Sequence, residues 1–436
     1  HTIGCQMNVY DSERILRRLR TIGYHPCDSP EQADLIVLNT CAIREKAEQK
    51  VYSFLGRQAK RKRSRPELML AVGGCVAQQE GSRLLERIPQ LDLVFGTHAV
   101  SRLAGHVADL REKRAPIVDV AMDGGRAMFE GLEPLVEIPG PSRFVTIMQG
   151  CDNFCTYCVV PHVRGREFSR PPQQILSEIR ALVGSGVREV TLLGQNVNSY
   201  GAKEGHGSFA ELLKQVDDVD GLERIRFTTS HPKDLSDELI DCFASLDKLC
   251  RHIHLPVQSG SNRVLKRMNR RYRRRQYLAR VKRLRSVCPD IGLTSDFIVG
   301  FPGESEDDFA DTLELMRFVE FDGVFAFGYS DRPSAPASGF NGKIEETVKK
   351  RRLADLLGLQ EKITLRKNRA LVGSIQKVMV EGPSKKDYSH RRQHTCLWNG
   401  RTSQNRIVHF AAAKNAEARD TTAPGRIATA LRRWSR

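Results

Sequence analysis

No apolar run in this 436-residue chain approaches the roughly 20 residues that a membrane-crossing helix needs, and no secretory leader is visible. Both absences argue against a membrane protein and set the expectation of a cytoplasmic one. Acidic residues are in deficit: 52 Asp and Glu stand against 69 Lys and Arg, a formal net charge of +17. That imbalance points to a polyanionic partner, most simply nucleic acid. The plainer reading is a basic surface kept for solubility. An even cysteine complement is also missing. Eleven cysteines in a long chain without a leader argue against a disulfide framework and leave thiols for metal or redox chemistry. The length suits two or three domains, and a hydrophobic content of 40% is ordinary for a globular protein.

The first part alternates apolar runs with helical stretches. "ADLIVLNTCAI", "LMLAVGGCVAQQ" and "LDLVFGTHAV" read as strands of a parallel α/β sheet over residues 1–115. Residues 116–140 are rich in Gly and Pro and read as a linker. A second series follows over 141–366, with six candidate strands: "FVTIMQG", "VREVTLLGQNV", "ERIRFTTS", "RHIHLPVQ", "IGLTSDFIVG" and "DGVFAFGYS". Six βα units predict a partial TIM-like (β/α)6 barrel, with its site at the carboxyl ends of the strands. After a charged helix, short alternating strands over 367–436 suggest a small β-barrel. Its final Ala/Arg-rich stretch lacks strand alternation and is expected to be a frayed tail.

Two cysteine sets carry chemistry. Cys151-x3-Cys155-x2-Cys158 directly follows the first barrel strand. Zinc would want a closed tetrahedral site, for which His162 is the nearest fourth ligand, but only one ligand knuckle is present. A 4Fe–4S cluster held by three thiolates leaves one iron open for a substrate or cofactor, and ligand count and spacing favour it. The second set is Cys5, Cys41 and Cys75, spaced by about one βαβ period, so adjacent parallel strands bring them to one edge of the sheet. Each lies beside turn formers and polar residues, which favours ligands over three unrelated buried thiols. Cys27, Cys242, Cys250, Cys288 and Cys396 read as ordinary buried or partly buried thiols.

Other strand ends are polar. "LLGQNVNSY" offers Gln195, Asn196 and Asn198, side-chain amides that can satisfy a ligand's donors and acceptors together; an Asn-rich turn is the bland alternative. Gln258 in "HLPVQSGS" and Asp296 and Gly300 in "DFIVGFPGE" close two further strands. Gly300 and Gly303 permit close backbone approach.

CxxxCxxC after a first barrel strand resembles the radical S-adenosylmethionine enzymes. With the second set, from "GCQMNVYDSE" to "NRIVHF", the chain closely resembles the methylthiotransferase family, and "YCVVPHVRGREFSRP" and "LLGQNVNSYG" look most like its tRNA-modifying branch. The resemblance implies two 4Fe–4S clusters, one on each cysteine set, with S-adenosylmethionine at the open iron of the first. It implies cofactor contacts from Tyr157, Gln195, Asn196, Asn198, Gln258, Asp296 and Gly300. It implies a radical that takes hydrogen from carbon 2 of N6-dimethylallyladenosine at tRNA position 37. The second cluster supplies sulfur, and a second S-adenosylmethionine supplies the methyl group. The C-terminal domain resembles the family's RNA-binding TRAM barrel. Implied partners are the tRNA anticodon loop, an electron donor such as flavodoxin or ferredoxin, and an iron–sulfur cluster carrier, with the enzyme acting as a monomer. Two family rivals share the chemistry on threonylcarbamoyladenosine or on a ribosomal-protein aspartate. A non-enzymatic iron–sulfur RNA-binding regulator and a zinc-binding RNA protein are rivals of other classes.

Basic tracts begin at Lys60 ("KRKRSR") and Arg270 ("RRYRRRQYLARVKRLR"), and Arg164, Arg166 and Arg170 lie near the first cysteines. Such runs are usually solvated helix faces; with a tRNA substrate they would contact phosphates. Tyr388 and Trp398, set among cations, suit single-stranded RNA.

Overall fold

The computed structural model describes residues 1–42, 45–122, 140–384, 395–413 and 427–431. Five parallel strands open the chain: β1 (Thr2–Ile3), β2 (Leu35–Thr40), β3 (Met69–Gly74), β4 (Leu93–Phe95) and β5 (Ile117–Asp119). They pair in sequence order, so Cys5, Cys41 and Cys75 follow the ends of three neighbouring strands. Apolar residues of β2, β3 and β4 alternate between two cores. One face packs Val51, Phe54 and Leu55 of the helix Glu45–Ser64; the other packs Ile15 and Leu19 of the helix Gln6–Arg20. β5 carries this sheet past residue 115, into the stretch expected to be linker. Residues 123–139 of that stretch lie outside the described set.

The second body holds β6 (Ser142–Thr146), β7 (Met148–Gln149), β8 (Phe168–Ser169), β9 (Glu189–Leu193), β10 (Arg224–Thr228), β11 (His252–His254), β12 (Gly292–Val299) and β13 (Gly323–Gly328). β7 and β8 form a short antiparallel ladder. The six expected barrel strands are all present and parallel, as β6–β9–β10 and β11–β12–β13. A single parallel bridge, Ile225 to Leu249, joins the two halves. Val190, Leu192, Ile225, Phe227, Ile253, Leu293 and Phe297 turn outward into the main core beneath the helices. Alternation then directs Glu189, Thr191, Arg224, Arg226, His252, His254, Thr294 and Asp296 to the lumen, which is correspondingly polar. Helix starts are set locally: Ser208 and Glu211 form a reciprocal cap on the helix Phe209–Asp217, as Ser305 and Asp308 do on Glu306–Val319.

The helix Glu346–Arg369 leads to β14 (Ile375–Pro383), β15 (Thr395–Thr402), β16 (Ile407–Ala413) and β17 (Ile427–Leu431). These form an antiparallel sheet in the order β16–β15–β14–β17, with no pairing between β16 and β17 among the described residues. β17 corrects part of the expectation of a frayed tail: Ile427–Leu431 pairs along β14, whose backbone offers the partner that the local sequence does not advertise, while residues 414–426 and 432–436 lie outside the described set. The β15–β16 turn seats under the barrel. Arg224 donates to the carbonyls of Arg401 and Lys377, and Arg226 to those of Thr402 and Ser403. Trp398 is buried, which corrects its reading as an open stacking platform; Tyr388 lies outside the described residues. Cys242, Cys250 and Cys288 are buried as expected. Cys27 is exposed instead, in the polar loop before β2, with its thiol on the Ser29 carbonyl. The Cys396 side chain lies outside the described set.

Candidate functional site: two cysteine sets and a polar barrel mouth

The first cysteine loop is a bay with a narrow neck. Cys151 N–H donates to the Gly165 carbonyl at 3.2 Å. Gly150 has φ +78°, and a Cβ there would collide with the Arg166 backbone, so the neck demands glycine. Within the bay, Asn153 Nδ2 lies 3.5 Å from Cys151 Sγ, and Arg270 Nη1 lies 3.5 Å from Cys155 Sγ. Burial pushes the Cys158 thiol up to about 12, with Cys155 adding to it, and burial also pushes Cys151 up. Sulfurs so placed need a bound cation charge to ionise, which iron supplies. Among the described residues no three His, Cys, Asp or Glu side chains converge on a single metal ion. A four-iron cluster does not ask for that, because each thiolate ligates a different iron. His162 is exposed on the short helix Val160–Arg164, which takes away the fourth zinc ligand.

Around this bay the strand ends present buried polar atoms without a protein partner: Gln149 Nε2, Gln195 Nε2, Asn198 Oδ1, Ser230 Oγ and His231 Nε2. Buried polar groups are normally satisfied, so this ring fits a polar ligand seated over the mouth. Gln195 also braces the loop, its Oε1 accepting from Gly150 N–H at 2.5 Å. Asn196 does not fit a cofactor contact. Its Nδ2 donates to Ser199 Oγ and Asp234 Oδ2, and its Oδ1 accepts from His231 N–H, so it clamps the loops after β9 and β10. Gly300 does not fit one either: its N–H is held by Glu304 at 2.9 Å, and Lys349 fills the space where a Cβ would go. Tyr157 lies against Val264 and Phe301 and accepts from Arg270 at 3.3 Å. Gln258 is buried with φ +72° at the end of the β11 segment. Asp296 lies in the lumen, 3.3 Å from His254 Nε2.

Three residues here escaped the sequence reading. Ser230 and His231 follow β10, and the strand-end rule applied to "TTSHP" would have found them. His231 Nδ1 accepts from Lys233 N–H, which places the proton on Nε2 and makes the orphan a donor. Burial, with the charges of Arg270, Lys233 and Arg271, pushes this ring far below the ordinary histidine range, so it is neutral near pH 7. Glu167 is the third. Burial, with Asp234 and Glu204 nearby, pushes it up to about 7.

The second set gathers at the edge of the first sheet. Asn8 accepts from the backbone N–H and the thiol of Cys5, and donates to the Thr40 carbonyl, so it ties β1 to β2. The Cys41 side chain pulls the Cys5 thiol down to about 6, with burial opposing and the Arg164 guanidinium helping. Burial pushes Cys75 up, again opposed by Arg164. Arg164 is itself buried and paired with Asp11 at 2.7 Å. It stands at the end of the five-residue helix that follows Cys158, so about 7.5 Å of helix joins the two cysteine sets. Cys75, Val76 and Ala42 pack against Val159 and Val163 of that segment.

The basic residues divide. Arg164 and Arg170 are buried, the latter on Glu178 and the Thr146 carbonyl, which corrects the idea that they guide RNA; burial of a guanidinium demands partners. Arg166 alone of the three is exposed, over the Phe154 ring and 2.7 Å from Asp152. In the Lys60 tract, Arg61, Lys62 and Arg65 pair with Glu31, Asp92 and Glu67. In the second tract, Arg270 is buried, and Arg274, Arg280 and Arg283 carry ion pairs.

Comparison with known proteins agrees with this geometry. Residues 145–316 match the radical SAM superfamily, and residues 1–96 match a family described as uncharacterized protein family UPF0004. The tRNA-2-methylthio-N(6)-dimethylallyladenosine synthase of Desulfosudis oleivorans is 54% identical over 428 residues, covering 98% of this chain and 91% of that protein. The synthase of the same name from Syntrophotalea carbinolica is 55% identical, covering 94% and 92%. Among solved structures, the radical S-adenosylmethionine methyltransferase TsrM from Kitasatospora setae, with cobalamin and a 4Fe–4S cluster bound, shares the fold. Its TM-score is 0.56 at 14% identity, covering 76% of this chain and 74% of that one. The chain is a radical SAM enzyme, and it belongs to the family of tRNA-2-methylthio-N(6)-dimethylallyladenosine synthases.

Proposed function

We propose that this enzyme places a methylthio group on carbon 2 of N6-dimethylallyladenosine at position 37 of tRNA. The observation that carries the reading is the bay of Cys151, Cys155 and Cys158, ringed by orphaned polar atoms and joined by one short helix to a second three-cysteine site. Cys151, Cys155 and Cys158 would hold a 4Fe–4S cluster whose open iron takes S-adenosylmethionine, and this pair supplies a radical able to remove an unactivated hydrogen. Cys5, Cys41 and Cys75 would hold a second cluster, the source of the sulfur that a second S-adenosylmethionine methylates.

The chain's own residues do the binding and positioning. Gln195, Asn198 and Ser230 present amide and hydroxyl groups to a polar ligand, and neutral His231 adds an Nε2–H donor. Tyr157, held by Arg270, walls one side. Asp296, half-buried on His254, faces the lumen below. The turn seated under β10 caps the lower end of the barrel. The target base must leave its stack to reach such a mouth. The C-terminal sheet and Arg166, an exposed cation beside the bay, are assigned to the tRNA. A cytoplasmic place of work beside tRNA, monomeric action, a one-electron donor and a cluster carrier belong to the same reading. No helix among the described residues is long and apolar enough to cross a membrane.

The test is anaerobic reconstitution with iron and sulfide, then assay with S-adenosylmethionine and dithionite on dimethylallylated and unmodified tRNA. Methylthio product on dimethylallylated tRNA alone is expected, with 5′-deoxyadenosine released. Product on threonylcarbamoylated tRNA instead would replace the substrate. Neither product, with about eight irons bound as two four-iron clusters require, would refute the reading.

A further inference from the structure

The basic tract around Arg270 has a concave part that the tRNA reading leaves without a role. A bay of about 580 Å³ opens there, lined by Asn262, Lys266, Asn269, Arg271, Tyr272 and Arg273 among others. Lys266, Arg271 and Arg273 are exposed and make no ion pair among the described residues, whereas Arg274, Arg280 and Arg283 do. The floor of this bay reaches the first cysteine loop directly. Tyr272 Oη accepts from Arg270 Nε at 3.2 Å, and Arg270 Nη1 lies 3.5 Å from Cys155 Sγ. Asn269 Nδ2 donates to the Phe154 carbonyl at 2.9 Å, between Cys151 and Cys155. A basic surface therefore stands two hydrogen-bonded contacts from a sulfur that the reading above makes an iron ligand.

We propose that this bay is the docking surface for an acidic protein that carries one electron. The carrier is oxidised by one electron and the iron–sulfur site is reduced by one; no bond forms or breaks and no proton moves. The proposal rests on the assignment of Cys151, Cys155 and Cys158 as cluster ligands. Contact with the cysteine loop favours an electron carrier here over RNA, since Asn269 and Arg270 on the floor of the bay touch that loop. Charge agrees too: three unpaired cations steer an acidic partner and make its binding salt-sensitive.

The test pairs binding with turnover on the reconstituted full chain. Oxidised flavodoxin, an acidic flavoprotein, is titrated by calorimetry at about 50 and 300 mM salt, where screening differs strongly. Binding is expected to weaken with salt, and Lys266→Glu with Arg273→Glu is expected to weaken it about tenfold or more at low salt. Cofactor cleavage driven by reduced flavodoxin should fall in parallel, while cleavage driven by dithionite stays unchanged. The charge-conserving pair Lys266→Arg and Arg273→Lys should behave as the unaltered chain. Unchanged flavodoxin affinity in the charge-reversed protein would overturn the proposal. So would an equal loss with both reductants, which marks a damaged cluster loop, or weakened tRNA affinity with intact flavodoxin binding, which marks an RNA surface. Failure of the unaltered chain to cleave the cofactor with dithionite would sink the radical reading itself, and this proposal with it.

Discussion

Replacing Arg164 with methionine tests the joint between the two cysteine sites. Arg164 and Asp11 are both about 4% exposed and 2.7 Å apart, one on the barrel side and one on the first domain. Removing one partner of a buried pair costs about 3–5 kcal/mol, because the other charge stays buried and uncompensated. Arg14 lies 3.7 Å from Asp11 and takes up part of that charge, which sets the expectation at the lower end, about 3 kcal/mol. With a urea m value of about 3 kcal/mol/M, the midpoint for the first domain should fall by about 1 M. The assay is urea unfolding of the apo chain, followed by proteolysis at sites in residues 1–119. Asp11→Leu in the same chain should recover only part of the loss, since no carboxylate is then stranded but buried Arg14 loses its partner. A shift below about 0.3 M for the single variant would refute the reasoning, because only a solvated pair is that weak. In the reconstituted protein the same change should lower iron bound at Cys5, Cys41 and Cys75, since Arg164 favours ionised sulfur at Cys5 and Cys75.

Three further outcomes follow from the geometry. Gly150→Ala should abolish iron loading at the first cysteine bay while leaving the second, read as about half the iron and loss of the cluster's visible absorption, because its Cβ would strike the Arg166 backbone. His231→Leu keeps the bulk but deletes the Nε2–H donor, and should weaken S-adenosylmethionine binding about tenfold by equilibrium dialysis, the worth of one hydrogen bond; unchanged affinity would remove His231 from the cofactor site. His252 is pushed down to about 3 by burial, with Arg226, His254 and Arg401 adding to it. Below its unfolded pKa the unfolded chain therefore binds the extra proton and the folded one does not. Stability should hold above about pH 6.5 and fall toward pH 3 by at most about 1.4 kcal/mol per pH unit from this group, a slope that His252→Gln should reduce.

The chemistry was more legible than the support around it. Cysteines at three consecutive strand ends can be placed from apolar runs alone, because a parallel strand ends where its run ends, and the six barrel strands follow the same rule. Side-chain roles were not legible where the same residue type serves two ends. Gln195 and Asn198 keep unpartnered atoms at the mouth, yet Asn196 between them is used up as a clamp. Arg164 and Arg170 read as exposed cations because their partners, Asp11 and Glu178, are set by tertiary packing. Gly300 reads as ligand space, but Lys349 arrives from a helix nearly 50 residues on. β17 was hidden because an Ala-rich edge strand takes its form from the β14 backbone rather than from its own pattern.

The seat beneath the barrel has an evolutionary consequence. Arg224 and Arg226 grip the carbonyls of Lys377, Arg401, Thr402 and Ser403, all main-chain atoms. Every residue type offers the same carbonyl, so this part of the docking places little demand on the side chains at Lys377, Arg401 and Thr402, while Ser403 also accepts from Arg251 N–H through its hydroxyl. Side chains of the same turn add the selective part, Gln404 on Asp290 and Arg406 on Asn368 and Asp322, so sequence change in the C-terminal sheet is tolerated best away from Gln404 and Arg406.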